Sequence, residues 1–541
     1  MSTATTAITT PFNVLVLGVF GTDGKLSRSA QTVIASKFQS NKFVQGNTWI
    51  GQTRSLDVSV FNSVDDVFEQ GFALRDSIQR VVFVGLAKKE QKPEENAVAM
   101  GVTTQYSAQV VGDAEFVQVG KSVRAEITKI VEALKKEKKE ENVVFHFDDF
   151  HGHAQAVAEG AALGAWKFDL NYEKFLQPIF GKDGFLLNSI KLVPGLGEQN
   201  EKDFKTGIVT GAYQLFSRYL IELPANYLTP IKYCELIKLK VEKYTLFASP
   251  EAVSSKFKIN VYDEDWAKEK GMGSFLSVTA GTEAPARVLE LIYVNDKSKK
   301  EDEFEIALLG KGITFDSGGI SLKPGEGMKE MKGDMGGSSC AICSTLAALE
   351  LDLPLNMITV AMLCENMPSG CATKPGDVVT AMNGKTIEVD NTDAEGRLIL
   401  ADGLCYLSEK KPQTLIDMAT LTGAVIIALS HVTAAVFSNS SPLVEELEKA
   451  SFQTSDYLWR LPIFREDYLE QMKSDVSDYN NIGGRPGGSC TAATFLSEFV
   501  DFSKVKQWAH LDIAAVTKTK VGYTGRPTRA VVEFLQQRAR K

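Results

Sequence analysis

Runs that favour strands alternate with runs that favour helices along nearly the whole chain, and this alternation restricts it to an α/β architecture. In the first part, Phe12–Phe20, Arg80–Leu86, Asn142–Phe147 and Gly184–Leu192 read as strands, and Lys121–Lys139 and Ala154–Phe168 as helices. Further on, Arg287–Val294, Glu305–Leu309, Asn356–Met362 and Gln413–Met418 read as strands with helices between them. Asp203–Tyr219 reads as a long helix bridging the two series, and the proline-bearing stretch Glu222–Pro230 as a hinge. A chain of 541 residues exceeds the size at which one core stops growing. The expectation is an α/β protein of two domains, each a mixed sheet flanked by helices: 1–200, a linking helix and hinge at 201–230, and 231–541.

Composition sets the class. Hydrophobic residues at 44% and charged residues at 23% fit an ordinary soluble protein. A net charge of −9 disfavours nucleic acid as a primary partner. The sequence has no apolar run long enough for a transmembrane helix, so no membrane association is expected. Met1–Thr10 has neither a secretory apolar core nor the arginines of a transit peptide, and reads as a frayed terminus. Asn41–Gly51 and Lys88–Glu95 read as surface loops, and Lys135–Glu141 as a solvated helix end. Seven cysteines, an odd number mostly in apolar surroundings, point to reduced thiols and a cytoplasmic location. Cys340-Ala-Ile-Cys343 matches C-x-x-C, but it lies in a helix-like run without a second such pair, so core packing is expected.

The chemistry concentrates in two stretches. Thr386–Val389 reads as a strand, Leu398–Leu407 as a helix, and between them Asn391-Thr-Asp393-Ala-Glu395-Gly-Arg397 packs two carboxylates and an arginine into five positions. Strand-to-helix turns of open α/β sheets are where ligands bind. Asp393 and Glu395 can aim at one cation, since hard divalent ions take oxygen ligands. Arg397 keeps its charge at neutral pH and suits an anion clamp rather than a base. Upstream, the strand Glu305–Leu309 runs into Gly310-Lys311-Gly-Ile-Thr-Phe-Asp316-Ser-Gly-Gly319, followed by Lys323 and Asp334 and by a helix-like run over Ser338–Leu349. Asp316, Asp334, Asp393 and Glu395 would repel one another unless cations neutralise them. Two divalent ions balance the set, which is the arithmetic of a two-metal hydrolytic site. Taken alone, Asp316 and Asp334 also fit helix caps, Lys311 fits a phosphate or carboxylate contact, and Lys323 fits the surface. Asn391, Asp393, Glu395 and Gly396 also echo a calcium loop, but a strand precedes them and Asp402 stands where a glutamate is usual.

Gly310-Lys-Gly-Ile-Thr-Phe-Asp-Ser-Gly-Gly319 and Asn391-Thr-Asp-Ala-Glu-Gly-Arg-Leu398 resemble the two signatures of the leucyl aminopeptidase (cytosol aminopeptidase, M17) family. Met331-Lys-Gly-Asp334-Met-Gly-Gly337, Asp417–Ala424 and Pro224–Pro230 resemble further family segments, so the likeness covers roughly residues 220–530. The resemblance implies that 231–541 is a catalytic metallopeptidase domain. It implies a tight metal site on Asp316, Asp393 and Glu395 and a looser one on Lys311, Asp316, Asp334 and Glu395. Zinc or manganese would fill them, with magnesium as an alternative, because an oxygen-rich site selects poorly. A lysine binds metal only as the neutral amine, so Lys311 would have to lose its proton against an ordinary pKa of about 10.4.

The same resemblance implies that Lys323 stabilises an oxyanion and that Arg397 holds bicarbonate. It places Lys311, Asp316, Lys323 and Asp334 at the substrate, and Met331, Thr420 and Gly423 along the pocket for its first side chain. Substrates would be peptides with a free N-terminus, Leu-like residues preferred, and the assembly a homohexamer. Other chemistries lack their residues. The five histidines form no H-E-x-x-H or C2H2 pattern, and His151 and His153 read as solvated loop residues. The chain has no P-loop and no G-x-S-x-G elbow. Rival readings are a two-metal phosphatase, which usually brings histidine ligands, and a non-catalytic structural or DNA-binding relative.

Overall fold

The computed structural model describes residues 12–20, 25–26, 53–57, 78–85, 114–137, 143–147, 149–150, 152–520 and 522–541. Met1–Thr10, Asn41–Gly51, Lys88–Glu95 and His151 of the sequence reading lie outside them. The chain divides into two compact units, Met1–Ala212 and Tyr213–Lys541, with the helix Glu198–Glu222 running through the division. Both are α/β, and both sheets are mixed.

In the first unit the sheet order is Thr53–Asp57, Ile78–Gly85, Phe12–Phe20, Val143–Phe147, Ile190–Leu192, with Lys25–Leu26 beside Phe12–Phe20. Phe12–Phe20 is parallel to both Ile78–Gly85 and Val143–Phe147, while Thr53–Asp57 runs antiparallel at the edge. Val143, Phe145 and Phe147 are buried, as are Val123, Ile127 and Val131 of the helix Ala114–Glu137. Two expectations are corrected here. Gly184–Leu192 is not one strand. It forms the helix Phe185–Ser189 and a short strand Ile190–Leu192, because Asn188 Nδ2 donates to the Gly184 carbonyl at 3.0 Å and closes a helical turn. His153 is not solvated. It starts the helix Ala154–Gly164 and is buried there close against Gly120.

The second unit is built on eight strands. Their order is Leu458–Arg460, Ala434–Ser438, Gln507–Asp512, Thr414–Ala419, Ile306–Asp316, Asn356–Asn366, Arg287–Val294, Phe257–Tyr262. The four in the middle, from Gln507–Asp512 to Asn356–Asn366, are parallel. Antiparallel strands flank them on both sides. Central parallel strands are covered on both faces, so they read as continuous apolar runs, and Ile306–Gly310 and Met357–Leu363 are buried throughout.

The helix Glu395–Glu409 lies on one face, its Leu398, Leu400 and Leu404 in one core with Leu309, Met362 and Leu415. The helix Gly336–Glu350 lies on the other, fully buried, and carries Cys340 and Cys343 as free buried thiols. It comes close because Gly337 has no side chain: a Cβ there would sit 2.0 Å from the Met418 carbonyl oxygen. The result is four parallel strands ending together at Asp316, Asn366, Ala419 and Asp512, the edge at which open α/β sheets bind ligands. Among the described residues no helix is long and apolar enough to cross a membrane.

Candidate metal centre and active site

Asp316 is the last residue of its strand, and the chain must turn sharply beyond it. Gly318 and Gly319 take φ of 89° and 65°, a region glycine enters without strain. A Cβ on Gly318 would also lie 2.8 Å from Asp393 Oδ1, so the glycine lets the two motifs meet. Asp316 Oδ1 accepts from the Gly318 N–H and from Asn366 Nδ2, each at 2.9 Å. Asn366 ends the neighbouring strand in register with Asp316 and also donates to the Thr392 carbonyl at 2.9 Å. Thr392 donates to the Gly318 carbonyl at 2.6 Å. Asn481 holds the far side of the second motif, accepting from the Asp390 N–H at 2.9 Å and donating to the Asn391 carbonyl at 2.7 Å. Sequence reasoning passed over Asn366 and Asn481, which carry no motif of their own.

Carboxylate oxygens of Asp316, Asp393 and Glu395 lie within 4.8 Å of one another. Two lysines thread between them. Lys311 Nζ is 2.8 Å from Asp334 Oδ2, 2.8 Å from Glu395 Oε1 and 3.0 Å from the Thr420 carbonyl oxygen. Lys323 Nζ is 2.8 Å from Asp316 Oδ2 and forms an ion pair with Asp393. Thr420 Oγ1 donates to Asp334 Oδ1 at 2.7 Å. Met331 enters through its carbonyl, which accepts the Asp334 N–H at 3.2 Å. Gly423 opens the helix Gly423–Leu429 and is exposed, with open space where a side chain would stand. Lys311, Asp334, Glu395 and Thr420 thus form one contact group and Lys323, Asp316 and Asp393 another, brought together by the converging oxygens of Asp316, Asp393 and Glu395.

The electrostatics are those of crowded carboxylates. Burial, then the Glu395 charge, holds the Asp316 carboxyl up at about 6 despite both lysines. Burial likewise raises Asp334 and Asp393. Glu395 goes the other way, because Lys311 and Lys323 outweigh its burial. The lysines stay protonated: burial lowers each, but the carboxylates around them more than compensate. Burial brings Arg397 down to about 10, against Glu395 and Asp512, so it keeps its charge at neutral pH. Its Nη1 is buried without a hydrogen-bond partner.

This donor set fits divalent cations. Four converging carboxylates raise one another's proton affinity, and positive charge relieves that most directly. Asp334 Oδ2 and Asp393 Oδ1 are buried without a hydrogen bond, facing only lysine ammonium groups as ion pairs. The mix of carboxylates and one amine is oxygen-rich and free of thiolate, the chemistry of Mn2+, Mg2+ or Zn2+ sites.

The model of the cytosol aminopeptidase family, catalytic domain, matches residues 215–532. The human cytosol aminopeptidase is 44% identical over 392 residues, covering 71% of this chain and 70% of that protein. The cytosol aminopeptidase of Dictyostelium discoideum is 39% identical over 469 residues, covering 85% and 82%. A mutant of tomato leucine aminopeptidase superposes with a TM-score of 0.72 at 28% identity, covering 97% of this chain and 94% of that one. The bottromycin maturation enzyme BotP in complex with Mn gives a TM-score of 0.71 at 26% identity, covering 97% and 99%. With parallel strands delivering a carboxylate cluster and a family match over most of the second unit, the fold and site define a metal-dependent aminopeptidase. The chain belongs to the cytosol aminopeptidase family, and its catalytic domain is the C-terminal one.

Proposed function

We propose that this aminopeptidase works with two divalent ions and removes N-terminal residues, Leu-like ones preferentially, from peptides. The observation that carries this reading is the convergence of Asp316, Asp393 and Glu395, with Lys311 and Asp334 attached through Glu395. Asp316, Asp393 and Glu395 would hold one ion, and Lys311, Asp316, Asp334 and Glu395 the other. Two such ions, when bound, supply Lewis-acid polarisation of the scissile carbonyl and an ionised water at neutral pH.

The chain's own groups do the rest. Lys311 would serve as a ligand only as its neutral amine, so loading a metal there would release its proton to solvent. Lys323, paired here with Asp316 and Asp393, would stabilise the developing oxyanion with its charge when those carboxylates serve as metal ligands. Arg397, whose Nη1 is buried without a hydrogen-bond partner, would hold bicarbonate, and that anion could accept from the attacking water the proton that a guanidinium cannot. Met331, Thr420 and Gly423 shape the pocket for the first side chain. An apolar pocket separates substrates by only about 1–3 kcal/mol per methylene, so broad specificity follows.

In this reading 1–200 is a separate α/β domain, 201–230 a link, and 231–541 the metallopeptidase domain. The relatives' names support a cytoplasmic location, and the family likeness a homohexamer, which light scattering checks. The deciding experiment is hydrolysis of leucine p-nitroanilide by metal-stripped protein with and without Mn2+. Activity that returns only with metal supports the reading. A folded, metal-binding protein inactive with every divalent ion overturns it.

A further inference from the structure

One buried carboxylate beside the centre has no part in the chemistry above. Asp512 ends the strand Gln507–Asp512 in register with Ala419, the last residue of the neighbouring strand. It is completely buried. Its Oδ2 accepts from Thr422 Oγ1 at 2.6 Å. Its Oδ1 takes the N–H groups of Leu421, Thr422 and Ala514 at 3.2, 3.4 and 3.3 Å. Every hydrogen-bonding neighbour is a donor to it, which offsets part of the burial that raises its carboxyl above the usual range.

The turn held in this way is the one on which half of the centre leans. Thr420 precedes Leu421, and its carbonyl and hydroxyl reach Lys311 and Asp334. Thr422 Oγ1 also lies 2.6 Å from Ser489 Oγ and accepts the Val425 N–H at 3.3 Å, anchoring the start of the helix Gly423–Leu429. Asp316 and Asp393 are supported elsewhere, by Gly318, Asn366 and the Asn391 side chain. The two halves therefore rest on different scaffolds.

We propose that Asp512 is a positioning residue: by fixing Leu421 and Thr422 it sets the place of Thr420, and through Thr420 the geometry of the Lys311–Asp334 half of the centre alone. The inference rests on the two-metal reading. Groups hydrogen-bonded to a ligand, as Thr420 is to Asp334, typically change metal affinity ten- to a hundredfold when lost, and Asp512 acts by displacing Thr420.

The test titrates metal-stripped, full-length protein with Mn2+ alone, reading free Mn2+ by electron paramagnetic resonance, with melting temperature followed in parallel. Wild type binds two ions. Asp512→Ala weakens one binding event by roughly ten- to a hundredfold and leaves the other in place. Asp512→Asn keeps an oxygen for the three N–H groups and restores most of the lost affinity. If Asp512→Ala does not fold, Thr422→Val, which removes the hydroxyl's contacts to Asp512, Ser489 and the Val425 N–H while leaving the N–H groups on Asp512, weakens the same event to a smaller extent. Unchanged affinities in the folded variant, equal weakening of both events alongside a lower melting temperature, or an asparagine variant no better than alanine would each overturn the proposal. A wild type that binds a single ion overturns the two-metal reading and this inference with it.

Discussion

Gly396→Ala separates the working of the centre from the stability of the fold. Gly396 lies in the first turn of the helix Glu395–Glu409, where alanine is intrinsically better by about 0.8–1.0 kcal/mol. A Cβ there, however, would lie 2.7 Å from both Cε and Nζ of Lys311 and 2.8 Å from Cδ. Ordinary carbon contacts begin near 3.5 Å, so the end of the lysine must retreat by roughly 0.8 Å. It is a flexible chain, and the backbone need not follow. The retreat weakens charge-assisted contacts to Asp334 and Glu395, each worth about 1.5–3 kcal/mol when fully formed. If the retreat costs each contact about half its worth, about 1.5–3 kcal/mol in all, the net loss after the helix gain is roughly 0.5–2 kcal/mol.

Turnover is less forgiving, since a displacement of about 1 Å at a reacting centre can cost on the order of a hundredfold. Gly337→Ala is the contrast: its Cβ would strike the Met418 backbone, which cannot swing aside, and about 3 kcal/mol or more should be lost. Urea midpoints of the metal-stripped protein, and kcat on leucine p-nitroanilide at saturating Mn2+, read the two effects. A Gly396→Ala enzyme with wild-type kcat, or one that fails to fold, refutes the reasoning.

Three further outcomes are expected. Glu395→Gln keeps the side-chain shape but loses the charge that faces Lys311, so turnover should vanish while the circular dichroism spectrum holds and the melting temperature falls; an active variant removes Glu395 from its bridging place. Arg397→Ala should slow catalysis without abolishing it and should remove any response to added bicarbonate, and full activity at low bicarbonate ends the clamp role. Asp402 is completely buried, and burial holds its carboxyl at about 7 although it accepts the N–H groups of Phe275 and Met382 at 2.7 Å. An acid whose folded value is raised contributes stability that is full below the unfolded value of 3.8 and is lost as the pH rises through about 7. The urea stability of wild type relative to Asp402→Asn should therefore decline between about pH 4 and pH 7, by no more than about 1.4 kcal/mol per unit; a flat difference would show that Asp402 does not titrate there.

What could be read from the chain alone was what lies close in sequence. Asp393, Glu395 and Arg397 share one turn, and Lys311 and Asp316 share one strand, so their chemistry is visible as a local pattern. The alternation of strand and helix gave both α/β units for the same reason. It failed at Gly184–Leu192, where Phe-Leu-Leu suits either periodicity and only the Asn188 contact to Gly184 decides. The supports of the site were illegible because sheet order creates them. Asn366, at a strand end, reaches Asp316 across 50 residues, and Thr422, capping a short helix, reaches Asp512 across 90, each a short polar side chain with no periodic mark.

The difference bears on function. The chemical groups of this centre lie on two short motifs, but their precision is shared among four strand ends that the chain visits in the order Asp316, Asn366, Ala419, Asp512. A substitution in the motifs removes a charge, whereas one at Asn366 or Asp512 leaves every charged residue of the two motifs in place and moves it. The second kind should therefore spare the fold's hydrophobic core, retain some metal binding, and lose activity in proportion to displacement rather than to charge.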